Sequence, residues 1–500
     1  MQYFLTGEQM QSCDRHTIQE LGIPSLELME RAASKCVEMM EKKGLDLSKP
    51  CVVCGSGNNG GDGIAVARML AEKGIAVRVC MAGNMAHATE ETKYQMERLK
   101  KTGARICDEY VSDEYSIIVD AVFGVGLNRK IEGRYAQMIR QMNETDAFKF
   151  AVDIPSGISA DSGLVMGIAF QADLTVTFQK KKLGMVLSPG REYAGEVIAA
   201  EIGIDTSPAE QNPDVVFSPD GAEYKKMLPV RPEDSNKGTF GRLLVIAGSK
   251  GMSGAAYLNA MAAYRCGAGL VQIYTPEENR TVLQTLLPEA IISTYEGFDR
   301  EEVIRLLKWA DAVCIGSGIG TGELSCRILK TVLESVRVPC LIDADGLNLL
   351  AEHPGYWETM AEVPIVITPH MKEMSRLVHM DVQEIKAERI RTLRDFTDIH
   401  PSVCVLKDSR TMIAVPDEPF CLNLSGNSAM AKGGSGDVLA GVVSGLMVQG
   451  LSAKEAAILG VWLQGRAGDL ARKEKGPYSV LARDLMDQLS DAFSELKEEI

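Results

Sequence analysis

The 500-residue sequence lacks several features that would place it in common protein classes. No apolar run approaches the roughly 20 residues that a membrane-spanning helix needs, and the segment Met1–Glu8 holds no basic stretch followed by an apolar one. We therefore expect no membrane insertion, no export signal and a cytoplasmic location. Basic residues are outnumbered, with a formal net charge of −15, which argues against a nucleic-acid-binding surface.

Cysteine spacing typical of a metal or disulfide site is also scarce. The twelve cysteines are scattered through apolar segments, and the C-x-x-C at Cys51 and Cys54 lies within a run that resembles a strand. Positions three apart on a strand point to opposite faces of the sheet. We therefore predict that these cysteines are small buried residues in a reducing compartment rather than a redox pair or a zinc site.

The most informative segment that is present is a glycine-rich loop opening into an apolar helix, at Ala431–Gly441. Glycine lets backbone N–H groups approach an anion closely, and a helix N-terminus adds partial positive charge. Asp437 stands in the first predicted turn, where its carboxylate would repel a bound phosphate. We interpret it as a base that takes a proton from a substrate hydroxyl beside a phosphoryl site. The alternative is an ordinary capped helix start.

Short apolar runs alternate with helical patterns, which predicts two α/β domains, each a mostly parallel sheet covered by helices. The expected strands are Cys51–Cys54, Ala76–Met81, Ile117–Val122, Phe148–Val152, Leu243–Ala247, Leu270–Tyr274, Ala312–Gly316, Cys340–Asp343, Ile365–Thr368 and Val403–Leu406, with a hairpin at Thr411–Val415 and Cys421–Leu424. The expected helices are Gln9–Leu21, Ser25–Lys42, Ile64–Lys73, Thr89–Gly103, Ala255–Cys266, Leu347–Ala351 and Ser435–Val448. A polar stretch with two prolines, Asp205–Asp214, marks the boundary, so we assign residues 1–212 and 213–500 to the two domains.

Three polar loops follow predicted strands in the first half: Gly55–Gly60, Asp120–Lys130 and Asp153–Gly157. The first matches the G-x-G-x-x-G pattern of dinucleotide-binding folds. That interpretation requires an acidic residue at the end of the next strand, and Val79–Asn84 has none, so we disfavour a plain dehydrogenase. The first loop continues instead into Asn58–Gly63, which carries more polar side chains than pyrophosphate binding needs.

These loops hold candidate ligands and a candidate acid or base. Ligands of open α/β sheets collect at the carboxyl ends of strands, so the three loops are expected to converge on one crevice. The side-chain oxygens of Asn59, Asp120 and Ser156 suit a hard cation, and Asp153 suits proton transfer. For any one of these residues, a helix cap or a turn is the alternative.

The second half lacks a Walker A sequence, so the glycine-rich loop is its candidate phosphate site. Other polar segments follow predicted strands and would complete a pocket around it. These segments are Gly248–Ala256, Gly316–Gly320, Ile342–Asn348, Thr368–Glu373 and Lys407–Thr411. Taken singly, His370, Asp343 and Asp345 have capping as an alternative role, and Lys407 has exposure to solvent.

The motifs Asn58–Gly63, Asp120–Gly133 and Val152–Gly157 resemble the N-terminal domain of the bifunctional NAD(P)H-hydrate repair enzymes. The resemblance implies a Rossmann-like αβα sandwich that interconverts the R and S epimers of NADHX and NADPHX, the hydrated nicotinamide dinucleotides. It assigns proton transfer to Asp153 and potassium binding to Asn59, Asp120 and Ser156. The substrate contacts that it implies are Asn58, Asn59, Gly60, Gly61, Asp62, Gly124, Val125, Gly126, Leu127, Asn128, Arg129, Lys130 and Asp153.

The second set of segments resembles the C-terminal domain of the same family, a ribokinase-like αβα dehydratase that uses ADP or ATP with Mg²⁺. The resemblance implies phosphoryl transfer to the C6 hydroxyl of the S hydrate with Asp437 as base, then loss of phosphate to restore NADH or NADPH. The implied hydrate contacts are Ala255, Gly318, His370 and Asp437, and the implied nucleotide contacts are Lys407, Asp408, Ser409, Arg410, Thr411 and Gly436.

Three segments depart from the family pattern. The residues after His370 are Met371–Met374 where the family usually has Pro-Gly-Glu-Met, and Lys407–Ser409 replaces Lys-Gly-Ala. In the glycine-rich loop, Asn427–Asp437 replaces Asn-Pro-Gly-Met-Ala-Thr-Gly-Gly-Thr-Gly-Asp. Asp408 is expected to add negative charge near the nucleotide, and Lys432 is expected to offset it.

Two other functions stay open from the sequence. The second domain has the features of a kinase acting on a vitamin precursor such as a thiazole or pyrimidine alcohol, which would release a stable phosphorylated product. Alternatively, the first domain binds its ligand without catalysis, although its polar motifs are intact. We also expect a homo-oligomer, with the helices within Gln9–Lys42 as the candidate interface.

Overall fold

The computed structural model describes residues 1–498 and divides the chain into two compact units. The first unit comprises residues 3–216, and the second comprises residues 1–2 and 217–500. Among the described residues, no helix is both long and apolar enough to span a bilayer.

The first unit is built on a seven-stranded parallel sheet in the order β4-β3-β2-β5-β6-β7-β9, and β1 pairs in parallel with β8 beside it. The strands in this part of the chain are β1 (Gln2–Leu5), β2 (Pro50–Cys54), β3 (Arg78–Met81), β4 (Arg105–Cys107), β5 (Ile117–Ala121), β6 (Phe148–Val152), β7 (Leu174–Phe178), β8 (Lys181–Lys182) and β9 (Glu196–Ala200). The helices are α1 (Gly7–Gln19), α2 (Ser25–Lys42), α3 (Asn58–Glu72), α4 (Glu90–Leu99), α5 (Gly133–Glu144), α6 (Gly190–Tyr193) and α7 (Ser207–Glu210).

The strand order reverses direction between β2 and β5, because the chain leaves β2 toward β3 and β4 and returns to place β5 on the other side. In open α/β sheets, such a switch point is where the connecting loops separate and leave a crevice. The loops after β2, β5 and β6 therefore meet at one edge, which is the convergence that the sequence pattern predicts.

Helix α3 begins at Asn58, six residues before the predicted start at Ile64, so this prediction was wrong. The glycines of Asn58–Gly63 are helical, and none of them has a positive φ. They are needed for contact instead: a Cβ on Gly60 would come within 2.0 Å of the Gly55 carbonyl oxygen, and one on Gly63 within 2.4 Å of the Ala121 Cβ. Glycine here lets the first turns of α3 lie directly against the sheet.

The two cysteines of the C-x-x-C lie on β2 and point to opposite faces, as predicted. Cys54 packs into the apolar cluster that includes Ile64 and Val119, whereas Cys51 packs into the separate cluster that includes Ile118 and Phe170. Both thiols are free and buried, and burial raises the pKa of Cys51 to about 12. Neither thiol is set up for redox or metal chemistry.

A buried arginine ties α3 to the helices on either side of it. The side chain of Arg68 is 2% exposed, and its Nη2 lies 2.6 Å from Glu30 Oε2 of α2. The same guanidinium bonds Glu72 at 2.8 Å within α3 and Gln95 Oε1 of α4 at 3.3 Å. Because α3 presents Asn58–Asp62 at its first turns, this network holds the helix that carries a predicted binding motif.

The second unit contains a larger sheet whose strands run in the order β13-β12-β11-β14-β15-β16-β17-β18-β19. Its strands are β10 (Val216–Ser218), β11 (Arg242–Ile246), β12 (Leu270–Pro276), β13 (Ile291–Tyr295), β14 (Ala312–Ile315), β15 (Cys340–Ile342), β16 (Ile365–Ile367), β17 (Val403–Leu406), β18 (Met412–Ala414) and β19 (Phe420–Leu422). Its helices are α8 (Gly221–Lys226), α9 (Ser253–Arg265), α10 (Arg280–Leu286), α11 (Arg300–Trp309), α12 (Glu323–Ser335), α13 (Asp345–Glu352), α14 (Met371–Val378), α15 (Val382–Ala387), α16 (Arg389–Ile399), α17 (Ser435–Met447), α18 (Ala453–Ser479), α19 (Ala482–Asp487) and α20 (Leu489–Glu498).

Strands β11 to β17 pair in parallel, and β17, β18 and β19 pair antiparallel, which confirms the predicted hairpin. The switch point lies between β11 and β14, so the loops that follow these strands border a crevice.

Helix α17 packs closely on α9 because it carries glycine where the two helices meet. A Cβ on Gly441 would come within 2.1 Å of the Asn259 carbonyl oxygen, and one on Gly445 within 2.8 Å of the Ala263 Cα. These glycines are four residues apart and lie on one face of α17. The close contact fixes the helix whose N-terminus is the predicted phosphate site.

The predicted alternation of strands and helices is confirmed, and several elements lie outside the predicted set. Strand β7 is buried throughout, but threonine alternates with its apolar residues and masks the apolar run. Helix α18 departs from helical geometry at Gly476, where φ is 75°, and Pro477 follows inside the same helix. These residues break the pattern that a sequence search for a long helix relies on.

Replacing Arg68 with alanine is expected to lower the free energy of unfolding of the first unit by about 3 kcal/mol, because it removes a buried side chain and the hydrogen bonds that its guanidinium donates to Glu30, Glu72 and Gln95. Lys35→Ala is the matched control, since it removes an exposed ion pair with Glu38 on α2 and is expected to cost less than about 1 kcal/mol. Urea unfolding of the full-length protein measures both. Equal effects from the two substitutions would contradict a supporting role for the buried network.

Candidate functional sites at the carboxyl edges of the two sheets

The first unit contains a cavity of about 720 Å³ at the crevice beside β2, β5 and β6. The predicted contact residues that line it are Asn58, Asn59, Asp62, Gly124, Val125, Gly126, Leu127, Asn128, Arg129 and Asp153. Gly60 and Gly61 are buried in α3, and Lys130 is exposed and outside the cavity lining. Asp120 and Ser156 are fully buried and bonded to each other.

Asp153 is held in a strained backbone conformation by a dense set of donors. Its φ is 67°, a region that side-chain-bearing residues rarely adopt. Its Oδ1 accepts hydrogen bonds from the Thr177 hydroxyl at 3.1 Å and the Phe178 N–H at 3.0 Å, and it forms an ion pair with the Lys182 ammonium. Among the described residues, nothing donates to its Oδ2. The arrangement fixes a charged carboxylate with one free oxygen.

Lys182 is a functional candidate that sequence reasoning missed. Its side chain is 1% exposed, and its ammonium also donates to Thr177 Oγ1 at 2.9 Å and to the Phe178 carbonyl at 3.2 Å. A buried ammonium requires a compensating charge, and Asp153 supplies it. The available signal was a basic run that follows an alternating strand, the same strand-then-polar pattern that located the other loops.

Two further carboxylates line the same cavity without a hydrogen-bond donor among the described residues. Burial raises the pKa of Asp62 well above its usual value, and the nearby Asp153 and Asp14 raise it further while Lys182 opposes them. Burial followed by Asp153 also raises the pKa of Asp14, which projects from α1. Sequence reasoning missed Asp14, because α1 precedes the sheet and carries no loop motif.

One observation supports a cation site at the residues predicted to bind potassium. Both polar atoms of the Asn59 side chain are buried and have no hydrogen-bond partner. Asp120 is fully buried, and its carboxylate accepts bonds from the Ser156 N–H and hydroxyl, each at 2.7 Å. A buried amide oxygen without a hydrogen-bond partner and a buried carboxylate are oxygen donors that suit a large, oxygen-preferring monovalent cation.

In the second unit, the glycine-rich loop ends at Gly434, whose φ is 95°, and α17 begins at Ser435. A Cβ on Gly434 would come within 2.6 Å of Leu258 Cδ1, so glycine is required there by both conformation and space. Asp437 stands in the first turn of α17. Burial, with the neighbouring carboxylate of Asp343, raises the pKa of Asp437 to about 6. Such a carboxylate is a stronger base than an exposed one and is still ionised at neutral pH.

A buried charge cluster adjoins this helix terminus. Asp343 is 1% exposed, and its Oδ1 accepts bonds from the Thr368 hydroxyl at 2.6 Å and the Lys407 ammonium at 2.9 Å. A Cβ on Gly436 would lie 3.5 Å from Lys407 Nζ, which places the ammonium against the first turn of α17. Burial alone would lower the pKa of Lys407, but the carboxylates of Asp343 and Glu373 raise it. The lysine therefore brings a fixed positive charge to the predicted phosphate site.

His370 caps α14, the alternative that its sequence context allows. Its Nδ1 accepts from the backbone N–H groups of Lys372 and Glu373, each at 3.1 Å. Burial, together with Lys407 and Arg376, lowers its pKa. The backbones of His370 and Lys407 form an isolated parallel β-bridge, so the two predicted contact residues lie side by side.

Ala255 and Gly318 lie together at the switch point, because a Cβ on Gly318 would come within 3.0 Å of the Ala255 Cβ. Gly318 has a φ of 64°, which its loop requires. The neighbouring Ser317 hydroxyl donates to Asp343 Oδ2 at 3.3 Å and connects this loop to the charge cluster. Five of the predicted residues of this unit, Lys407, Gly436, Asp437, Ala255 and Gly318, thus lie close to one charge cluster or to the loop connected to it.

The expected role of Lys432 as the counter-charge of Asp408 was wrong. Arg389, which is 4% exposed, bonds Asp408 Oδ2 through Nη2 at 2.8 Å. Lys432 instead donates to the Tyr478 carbonyl at 2.6 Å. Arg389 lies on α16, and a helical arginine distant in sequence gives no signal of such a pairing. The negative charge of Asp408 is therefore already compensated within the fold.

The remaining predicted nucleotide contacts are Ser409, Arg410 and Thr411, which connect β17 to β18. Ser409 is exposed, and the Thr411 carbonyl accepts from the Asn423 N–H at 2.9 Å. The Arg410 Nη1 donates to the Leu424 carbonyl at 2.6 Å. The segment is thus anchored by its backbone and Arg410, and Ser409 stays accessible.

The chain matches two families. Residues 243–491 match the family described as NAD(P)H-hydrate dehydratase, and residues 25–184 match the family described as YjeF-related protein N-terminus. Each match lies within one of the two units.

Solved structures resemble the second unit. An ADP/ATP-dependent NAD(P)H-hydrate dehydratase from Bacillus subtilis, co-crystallised with ATP and Mg²⁺, is 31% identical and superposes with a TM-score of 0.51, over 55% of this chain and 97% of its own. A ribokinase-like superfamily protein from Enterococcus faecalis is 27% identical with a TM-score of 0.52, over 56% of this chain and 96% of its own. The predicted ribokinase-like fold is confirmed.

Curated relatives match almost the entire chain, and each is named a bifunctional NAD(P)H-hydrate repair enzyme. The relative from Thermofilum pendens is 34% identical over 97% of this chain and 95% of its own length. The relative from Escherichia coli is 34% identical over 95% of this chain and 91% of its own length. Because both halves are matched in one continuous alignment, the chain belongs to the family of bifunctional NAD(P)H-hydrate repair enzymes.

Proposed function

We propose that this protein epimerises NADHX and NADPHX in its first domain and dehydrates the S epimer in its second, with residues 1–212 and 213–500 as the respective domains. The observation that carries the proposal is that each unit has a partly or largely buried carboxylate at its predicted site: Asp153 lines the cavity of the first unit, and Asp437 stands in the first turn of α17 in the second. Hydration produces both epimers, and only one is dehydrated, so an epimerase in the same chain supplies the other.

In the first domain, Asp153 is the base. Asp153 lines the cavity and forms an ion pair with Lys182, and no described residue donates a hydrogen bond to its Oδ2. The segments Asn58–Asp62 and Gly124–Lys130 are the proposed substrate contacts, and all of their residues except Gly60, Gly61 and Lys130 line the cavity. Lys182 is a positioning residue, because it acts on the substrate through Asp153.

Potassium would be held by Asn59, Asp120 and Ser156. The unpartnered Asn59 amide oxygen and the Asp120 carboxylate supply the oxygen atoms. When bound, the cation would neutralise the buried carboxylate and give the Asn59 side chain the partner it lacks. The loops after β2, β5 and β6 would then be tied together at the floor of the crevice.

In the second domain, Asp437 removes the proton of the C6 hydroxyl, and the oxygen attacks the terminal phosphoryl group of ADP or ATP. The backbone N–H groups at the start of α17 and the Lys407 ammonium offset the charge that develops on the phosphoryl oxygens. The C6–O bond of the phosphorylated hydrate then breaks, a proton leaves C5, and the dihydronicotinamide forms again. Ala255, Gly318 and His370 are the proposed hydrate contacts, and Lys407–Thr411 and Gly436 the proposed nucleotide contacts.

Magnesium would enter with the nucleotide. Among the described residues, no cluster of three or more histidine, cysteine or acidic side chains is arranged to hold a metal ion. Mg²⁺ is commonly held largely by substrate phosphates and water, with one or two carboxylates. The cytoplasmic location and the homo-oligomer expected from the sequence stay predictions.

Asp153→Ala is expected to limit conversion of a mixed R and S NADHX sample to the S fraction, because the first domain can no longer interconvert the epimers. Recovery of NADH absorbance with ADP or ATP and Mg²⁺ measures the yield, after subtraction of spontaneous epimerisation. Complete conversion at the wild-type rate would rule out this role for Asp153. Asp437→Asn is the reciprocal control, and it is expected to abolish NADH recovery and leave epimerisation intact. If the wild type forms a stable phosphorylated hydrate and no NADH, the second domain is a kinase.

The pKa of about 6 for Asp437 predicts a pH dependence for dehydration. The raised pKa means that the carboxyl group takes up a proton as the pH falls through about 6, and only the ionised form is a base. The kcat/KM for the S hydrate is therefore expected to fall about tenfold per pH unit below this value and to level off above it. A profile that is flat from pH 5 to pH 7 would contradict the assignment of Asp437 as the base.

Potassium is expected to raise the thermal stability of the first domain in the wild type more than sodium or choline does at equal ionic strength, since it binds only the folded site. Asn59→Ala is expected to remove this difference. In potassium-free buffer the same substitution is expected to cost little, because it deletes two buried polar atoms that already lack partners. Calorimetry of the full-length protein in matched chloride salts measures both effects, and an unchanged potassium response in Asn59→Ala would exclude Asn59 as a ligand.

A further inference from the structure

Four carboxylates line the cavity of the first unit, in unlike surroundings, and one of them, Glu91, accepts a hydrogen bond from the Ser25 hydroxyl at 2.7 Å. Asp153 has three donors, one of them an ammonium, at its Oδ1. Asp62 and Asp14 line the same cavity, and no described residue donates a hydrogen bond to either. Burial without a donor or a cation of its own favours the protonated form of a carboxyl group.

We propose that Asp62 is the general acid of the epimerase, which protonates the C6 hydroxyl as it leaves, while Asp153 is the base that takes a proton from the water that returns. This proposal rests on the epimerase function proposed above. Pairs of acidic groups whose environments favour opposite protonation states divide the acid and base roles of a reaction between them. The cavity provides such a pair, from α3 and from the loop that follows β6.

The step balances without a further reactant. The Asp62 carboxylic acid gives its proton to the C6 hydroxyl, the C6–O bond breaks, and the nitrogen lone pair of the ring forms an N1=C6 iminium with release of water. A water molecule then adds to the other face, the electron pair returns to N1, and Asp153 accepts the proton of the new hydroxyl. One turnover moves one proton from Asp62 to Asp153, so the enzyme is then set for the reverse reaction, and exchange with water in the cavity restores the starting form.

Position and charge favour Asp62 over Asp14. Asp62 lies one turn beyond Asn58 in the helix that lines the cavity, and Asp153 heads the charged groups that raise its pKa. Asp14 comes from α1, and the adjacent Arg15 opposes the rise in its pKa. The substitution Asp14→Asn therefore serves as the comparison, because it replaces a second carboxyl group of the same cavity by the same amide.

The groups that face Asp62 are Asp153, Asp14 and Lys182, together with the Cys36 thiol of α2. Burial raises the pKa of Cys36 well above its ordinary value, so the thiol stays neutral. Asp153 and Lys182 are fixed as an ion pair. In the neutral to alkaline range, loss of the Asp62 proton is thus the expected cause of an alkaline decline in the rate of epimerisation.

The decisive variant is Asp62→Asn, because asparagine still donates a hydrogen bond to the hydroxyl but cannot give up a proton. With purified R-NADHX and the second domain converting S-NADHX to NADH, kcat for epimerisation is expected to fall about 100-fold or more with KM changed less than about threefold. The rate with S-NADHX reports whether the second domain of each variant is active, and a KM for R-NADHX close to that of the wild type reports that the first domain is folded. Asp62→Glu is expected to recover part of the lost rate, and Asp14→Asn to lose less than about tenfold.

Several outcomes would overturn the proposal. Wild-type epimerisation by Asp62→Asn would reduce Asp62 to a substrate contact, and a larger loss in Asp14→Asn than in Asp62→Asn would make Asp14 the acid. In H₂¹⁸O, each epimerised molecule is expected to carry solvent oxygen at C6, and retention of the original oxygen would exclude departure of the hydroxyl. If the wild type itself fails to convert R-NADHX faster than buffer, the epimerase function fails, which is a distinct result.

Discussion

Both sites depend on a helix that lies closer to its neighbours than any side chain would allow. In the first unit, a Cβ on Gly60 or Gly63 would come within 2.4 Å or less of the residues that pack against α3. In the second unit, Gly441 has the same relation to the backbone of α9. A helix seated this closely brings its first turn, with its unpaired N–H groups and its polar side chains, to the carboxyl edge of the sheet. The polar residues of each site are therefore placed by glycines that allow close packing of the helix.

The fold and the loops that form each site follow from pattern and spacing in the sequence. Alternating apolar runs and helices indicate parallel sheets, and polar loops after successive strands indicate a shared edge. Asn59, Asp120, Asp153, Asp437 and Lys407 can be found in this way because each lies at or near the end of a strand or the start of a helix. The start of α3 cannot be found, because glycines that serve close packing look the same as glycines that serve a loop.

The side-chain partners are much harder to predict. Lys182 forms an ion pair with Asp153, and Arg389 forms one with Asp408. In each pair the two residues are far apart in the sequence and are brought together by the fold. Asp14 enters the first cavity from a helix outside the β–α alternation. Pairings of this kind are properties of the three-dimensional fold, since nothing in the local sequence of either partner requires them. These pairings nevertheless decide which carboxylates have a cationic partner.

The two carboxylates that we propose as bases, Asp153 and Asp437, differ in whether a nearby buried lysine bonds them directly. Lys182 bonds Asp153 directly, so the negative charge of that carboxylate is balanced within the first site. In the second site, Lys407 bonds Asp343, and the charge of Asp343 raises the pKa of Asp437. Asp153 thus keeps a fixed cationic partner, which suits a reversible reaction in which a proton moves in both directions. The raised pKa of Asp437 makes it a stronger base than an exposed carboxylate, which suits the proposed deprotonation of an alcohol, and Lys407 lies beside the first turn of α17, where the phosphoryl group is proposed to bind.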